Sequence, residues 1–140
     1  MPLDLGSLQK AVAALRAALA KSNDSHFMAT LDDVARDTMK AGVIQHFEFT
    51  YELCWKFMKR WLETNISPNV ADGVTRRQLF RLAVENRLID DVDRWMRHHD
   101  ARNDTAHTYD PAIAERVYRA AHDFAHDAGG LLEALATRND

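Results

Sequence analysis

The chain has 140 residues, 46% hydrophobic and 28% charged, with a formal net charge of -3, which speaks against a general nucleic-acid binder. Its start lacks the basic and apolar regions of a signal peptide, and no apolar run reaches membrane-spanning length, so no membrane partner is expected. One cysteine, Cys54, excludes an intrachain disulfide and fits a reducing cytoplasm.

Leu8, Val12, Leu15 and Leu19 lie at helical spacing and predict a first helix over about residues 4–21. A polar break follows, and Asp24 or Thr30 is a suitable start for a short second helix. A long central helix is expected over about residues 38–64. Its stripe is Ile44, Phe47, Tyr51, Cys54, Trp55, Met58 and Leu62. Val43, Phe49, Leu53, Phe57 and Trp61 widen it, which predicts burial on more than one side. Cys54 in that setting reads as a buried, inert thiol.

Residues 65–73 read as a loop, and Thr75 caps a helix with Leu79, Phe80, Ala83 and Val84 inward. A turn over residues 86–91 precedes a helix over about residues 90–105 with Val92, Trp95 and Met96 inward. The last helix starts at Pro111 behind Asp110, and Gly129-Gly130 is a place for it to kink or end. The expectation is one all-α domain over residues 1–140, an antiparallel up-and-down bundle of about five main helices.

The chemistry concentrates in residues 102–109, Arg-Asn-Asp-Thr-Ala-His-Thr-Tyr. Arginine offers phosphate oxygens a rigid donor fork, and histidine exchanges protons near neutral pH. Together they suit metal-independent phosphodiester cleavage. Five residues apart, Arg102 and His107 would point about 140° away from each other on an unbroken helix. They converge only if the helix ends near Thr105 or Ala106. By residue type alone, Arg102 equally suits a carboxylate partner, and His107 a helix C-terminus. Charge adds one clue: residues 56–102 carry 10 basic against 7 acidic side chains and form the one phosphate-facing stretch, while both flanks are net acidic.

This segment, with the polar Asn103 after the arginine and Tyr109 after the histidine, resembles the Arg-x4-His motif of HEPN-domain proteins. Upstream, Val43-Ile-Gln-His-Phe-Glu-Phe-Thr-Tyr-Glu-Leu-Cys-Trp-Lys is similar to the signature helix of the HEPN branch called nucleotidyltransferase substrate-binding proteins. Leu88-Ile-Asp-Asp and Trp95 fall between them in the expected order. The resemblance implies a HEPN-like bundle, a homodimer, and a ribonuclease toxin acting on RNA beside a cognate minimal nucleotidyltransferase antitoxin. It implies Arg102, His107 and Asn103 as catalytic residues. It also implies that the antitoxin places AMP on Tyr109, whose polar neighbours Thr108 and Asp110 argue for an accessible ring. The alternative implied by the branch name is a non-enzymatic subunit that presents a nucleotide or substrate to the nucleotidyltransferase. No cofactor is implied.

Glu48 and Glu52 share a helical face; on their own they read as a solvated pair, with Glu52 well placed for Lys56. The resemblance gives them an alternative place in the cleft, orienting Arg102 or a nucleotide. His98 and His99 stand one turn before Arg102. His122 and His126 have metal-ligand spacing, yet Asp123 replaces the glutamate of a metalloprotease and no third ligand is evident, so these histidines read as solvated. Proton arithmetic asks for an acid and a base, and a two-fold dimer bringing two motifs into one cleft would supply two His107 side chains.

Overall fold

In the computed structural model, which describes residues 2–139, the helices begin where short polar side chains take up free backbone N–H groups. Met1 and Asp140, the ends of the expected domain, lie outside the described residues. The elements are α1 (Gly6–Ser22), α2 (Ser25–Ala29), α3 (Asp33–Asn65), α4 (Arg76–Glu85), α5 (Val92–Asp104), a 3-10 turn (Thr105–His107) and α6 (Pro111–Thr137). The fold is the expected all-α antiparallel bundle, with five main helices and the short α2, and no strand among the described residues.

Asp24, Asp32, Thr75, Asp91 and Asp110 each accept a backbone N–H at the start of a helix, and Thr75 forms a reciprocal capping box with Gln78. Thr30 ends α2 rather than starting it. The central helix begins at Asp33, five residues before the apolar pattern suggests, because Asp32 caps it while Val34 stays exposed. Periodicity cannot register a helical turn that is held by polar contacts, such as Arg36 to Met28 O and Leu31 O, and buries no apolar side chain.

α3 is the axis of the bundle and touches α1, α4, α5 and α6. Val43, Phe47, Tyr51, Cys54, Met58 and Leu62 are fully or almost fully buried, as are Leu8, Leu15, Phe80, Phe124 and Leu131 on its neighbours. The Cys54 thiol lies in this core, where burial pushes its pKa up. Phe49 departs from expectation. It is 59% exposed, because no helix covers that side of α3. Nor do Gly129 and Gly130 break α6, which runs on to Thr137. The Arg16 guanidinium packs over Gly129 so closely that a Cβ there would lie 1.9 Å from Nη2. α4 ends with Leu88 N–H donating to Ala83 O and Arg87 in the left-handed region at φ 60°, which turns Leu88 and Ile89 into the core.

α5 is anchored differently. Trp95, His98 and Ala101 form its buried face. Trp95 meets Phe80 and Phe124, with ring centroids 5.8 and 5.9 Å away, and Phe124 meets Phe47 at 4.9 Å, mostly edge to face. His98 joins this cluster and is only 5% exposed. Its Nε2 lies 2.6 Å from Asp127 on α6, whose carboxylate also accepts from Arg94 Nε and Nη2. His122 is tied to α1 and its own helix through Asn23 Oδ1 and Tyr118 O, each 3.0 Å away.

We expect Asp127→Ala to lower the unfolding free energy by about 1–3 kcal/mol, since buried His98 would lose its partner; urea denaturation measures it. Burial holds the His98 pKa below the ordinary 6.5 despite Asp127. As pH falls through that value, the unfolded chain binds a proton that the folded chain refuses. The stability given by neutral His98 is therefore complete above about pH 6.5 and declines below it. Denaturation of His98→Gln across that range should show a shallower acid-side decline than wild type.

Candidate active site

The site forms where α5 ends against the middle of α3. With Trp95, His98 and Ala101 turned to the core, the helical period carries His99 and Arg102 round to face α3, about 60° apart. α5 stops at Asp104, and one 3-10 turn carries the chain to His107 before Asp110 caps α6. Thr105 stabilises that stop by donating its hydroxyl to Arg102 O at 2.7 Å, and Thr108 donates to Thr105 O at 3.3 Å.

Arg102 is half-buried and its fork is held on three sides. Nε donates to Glu52 Oε1 at 3.1 Å, Nη1 donates to Thr105 Oγ1 at 3.3 Å, and Nη2 lies 3.5 Å from Glu48 Oε1. The second Glu52 oxygen accepts from Trp55 Nε1 at 2.9 Å, so this carboxylate turns toward Arg102 and Trp55 rather than Lys56. The Arg76 guanidinium lies 3.7 Å from the centre of the Trp55 ring, a cation–π contact that brings a second fixed cation to the neighbourhood.

His99 lies within this group. Its Nδ1 is 2.8 Å from the Tyr51 hydroxyl, and Asn103 Nδ2 lies 3.4 Å from its Nε2. The imidazole that Asn103 meets is therefore His99, not His107. Burial and the nearby Arg76 guanidinium lower the His99 pKa, with Arg102 acting in the same direction and Asp100 and Glu52 opposing. Burial also keeps the Tyr51 phenol protonated. The sequence showed His98 and His99 as neighbours; only the rotation of α5 sends one to the core and the other to the cleft.

His107 stands apart from Arg102's partners, exposed on the 3-10 turn, with its ring 6.0 Å from that of Tyr109 and edge-on to it. Tyr109 is 84% exposed. A groove of about 480 Å³ begins at Glu48, Glu52, Thr105 and Thr108 and passes Phe49. A neighbouring hollow of about 530 Å³ shares Ala41, Ile44 and Thr108 with it and ends at Tyr109. Arg102's bonds, the groove and the exposed His107–Tyr109 pair thus lie along one side of α3. An arginine held in this way can receive a phosphate with little reorganisation. Glu48, with the longer contact and greater exposure, is the carboxylate an arriving anion displaces more easily.

Residues 3–137 match the model of a family described as nucleotidyltransferase substrate binding protein like. The chain is 36% identical over 138 residues to a Haemophilus influenzae protein named probable ribonuclease HepT, an overlap of 98% of this chain and 94% of that protein. It also resembles the solved structure of HI0074 from Haemophilus influenzae, described as having the fold of a substrate binding domain of a nucleotidyltransferase. The TM-score is 0.91 and the identity 34%, covering 95% of this chain and 99% of that one. A crystal structure of a Thermus thermophilus protein matches with TM-score 0.69 and 26% identity, over 91% of this chain and 98% of that one.

Glu48→Gln removes one of the two carboxylates competing for Arg102 and leaves the other in place. It should change stability by less than about 1 kcal/mol and tighten inorganic phosphate binding by up to roughly fivefold, the equivalent of that energy. Thermal melts and a titration following the Arg102 side-chain NMR resonance measure the two effects. Weaker phosphate binding would show that Glu48 supports the anion site instead of opposing it.

Proposed function

The chain belongs to the nucleotidyltransferase substrate binding protein-like family, and from that premise we propose that it is a HEPN-type ribonuclease toxin that cuts RNA without a metal. The observation that carries this reading is Arg102, oriented by Glu52 and Glu48 at the end of α5, with His107 exposed one turn later. The name of the Haemophilus influenzae relative, probable ribonuclease HepT, supports the same reaction class.

In this mechanism the RNA's own 2′-oxygen attacks the adjacent phosphorus as its proton passes to a base. The bond from phosphorus to the 5′-oxygen breaks, and that oxygen takes a proton from an acid. The products are a 2′,3′-cyclic phosphate and a 5′-hydroxyl end. Arg102 offsets the extra negative charge of the pentavalent transition state, and His107 performs one of the two proton transfers. Asn103 holds its hydrogen-bond partners on the cleft side of α5.

We further place the protein in a homodimer and beside a nucleotidyltransferase antitoxin. Support for the dimer is the uncovered strip of α3 that runs past Ala41, Gln45 and Phe49 toward Tyr109, since exposed aromatic rings on a grooved face suit a partner surface. Support for the antitoxin is the family description and the exposed phenol of Tyr109. AMP attached there would set a phosphate and a base beside His107, obstructing RNA entry. The description of HI0074 favours a second reading, a non-catalytic subunit that presents substrate to the nucleotidyltransferase. In that reading Arg102 binds phosphate without turnover.

Incubation of purified protein with RNA in EDTA separates the two. Cleavage to cyclic-phosphate ends is expected, with losses of about 10²–10⁴-fold in both His107→Ala and Arg102→Ala. Dependence on a metal, or full activity in both variants, overturns the mechanism. With the partner enzyme, ATP and magnesium, mass spectrometry should find AMP on Tyr109, together with loss of cleavage. Tyr109→Phe should remain unmodified and active. AMP on another residue, or neutralisation of active Tyr109→Phe, rejects that assignment.

A further inference from the structure

The reaction needs two proton transfers, and His107 accounts for one. We propose that His99 accounts for the other: held at Nδ1 by Tyr51, one turn before Arg102, it is the general base that takes the 2′-hydroxyl proton. The inference rests on the ribonuclease reading above and adds to it a second imidazole within the same chain.

Three observations point to His99. First, its position is set by the core. Tyr51 is 1% exposed, its ring packs 6.2 Å from that of Phe124, and its hydroxyl meets His99 Nδ1 at 2.8 Å, so the imidazole is oriented by a rigid partner. Second, that bond leaves Nε2 as the nitrogen on the side of exposed Asn103. The role requires the tautomer with its proton on Nδ1, against the Tyr51 oxygen, and a lone pair on Nε2, toward which the Asn103 amide can turn either end. A base needs that lone pair. Third, its surroundings favour the neutral ring: burial first, then the Arg76 guanidinium from α4, with Arg102 from α5 acting the same way and Asp100 from α5 and Glu52 from α3 opposing.

The proton inventory closes. The 2′-hydroxyl proton moves to His99 Nε2, the 2′-oxygen bonds to phosphorus, and the 5′-oxygen leaves with a proton from the His107 imidazolium. The two imidazoles then differ by one proton from their starting states, and exchange with water restores both. A shared cleft with one His107 from each chain would provide an acid and a base in another way, and the two arrangements make different predictions.

The test compares wild type, His99→Gln, Tyr51→Phe and His107→Ala on a short RNA in EDTA, across a range of pH. We expect His99→Gln to lower kcat by about 10²-fold or more with little change in KM, and to remove the acid-side rise of the pH–rate profile. Tyr51→Phe should lose less and displace that rise. Dimers mixing wild-type and His107→Ala chains should lose activity in proportion to the wild-type chains present. Ring-nitrogen NMR of unmodified protein gives a readout independent of turnover and of variant folding, and should find His99 Nδ1 protonated and Nε2 bare at neutral pH. Wild-type kcat with an unaltered pH profile in His99→Gln overturns the role of His99 while leaving the ribonuclease reading intact. So does a His99 protonated at Nε2, or a mixed dimer that loses far more than its share. Wild-type protein that leaves RNA uncut overturns both.

Discussion

The rotation of α5 about its own axis is the constraint on which the site depends, and the Asp127 carboxylate sets it. That group accepts from Arg94 and meets His98, locking two successive turns of α5 to α6 while Trp95 wedges between Phe80 and Phe124. A helix held at residues 94, 95 and 98 has no freedom left at residues 99 and 102. Their side chains must face Tyr51, Glu52 and Glu48 on α3. A polar network in the core thus positions an exposed cleft. The same low-dielectric setting that makes an unpaired His98 costly makes its paired geometry rigid.

Across the cleft, α3 contributes residues at successive turns: Glu48, then Tyr51 and Glu52, then Trp55. Each contacts a cation or imidazole from another element, namely Arg102, His99 and Arg76. Pairs of this partly exposed kind add little to stability. Their effect is orientation. Two carboxylates beside Arg102 also offset its charge, in keeping with a chain of net charge -3. In the proposed function, attraction for phosphate would come from the exchange of a carboxylate for the ligand at one guanidinium, rather than from a broad basic surface.

Much of the fold was legible because its signals are local. Thr75, and Asp110 before Pro111, start helices through atoms only a few residues apart, and both act as read. The early start of α3 was hidden because the turn around Val34 buries no apolar side chain and so carries no stripe. Phe49 looked like core for the converse reason: its residue type is apolar, but nothing packs on that side. The glycine pair in α6 looked like a break, whereas Arg16 from α1 makes use of the missing side chain.

By itself, the sequence determined the all-α class, the helix ends near Asp104 and Pro111, and the presence of Arg102, His107 and Tyr109 on one short stretch, because caps, periodicity and spacing are properties of neighbouring residues. Only the tertiary structure decided that adjacent His98 and His99 go separate ways, one to Asp127 in the core and the other to Tyr51 at the cleft. It alone turned Glu52 from Lys56 to Arg102. These choices depend on partners 29 to 50 residues away along the chain. The rotation of one packed helix selects among them, and no local pattern encodes that rotation.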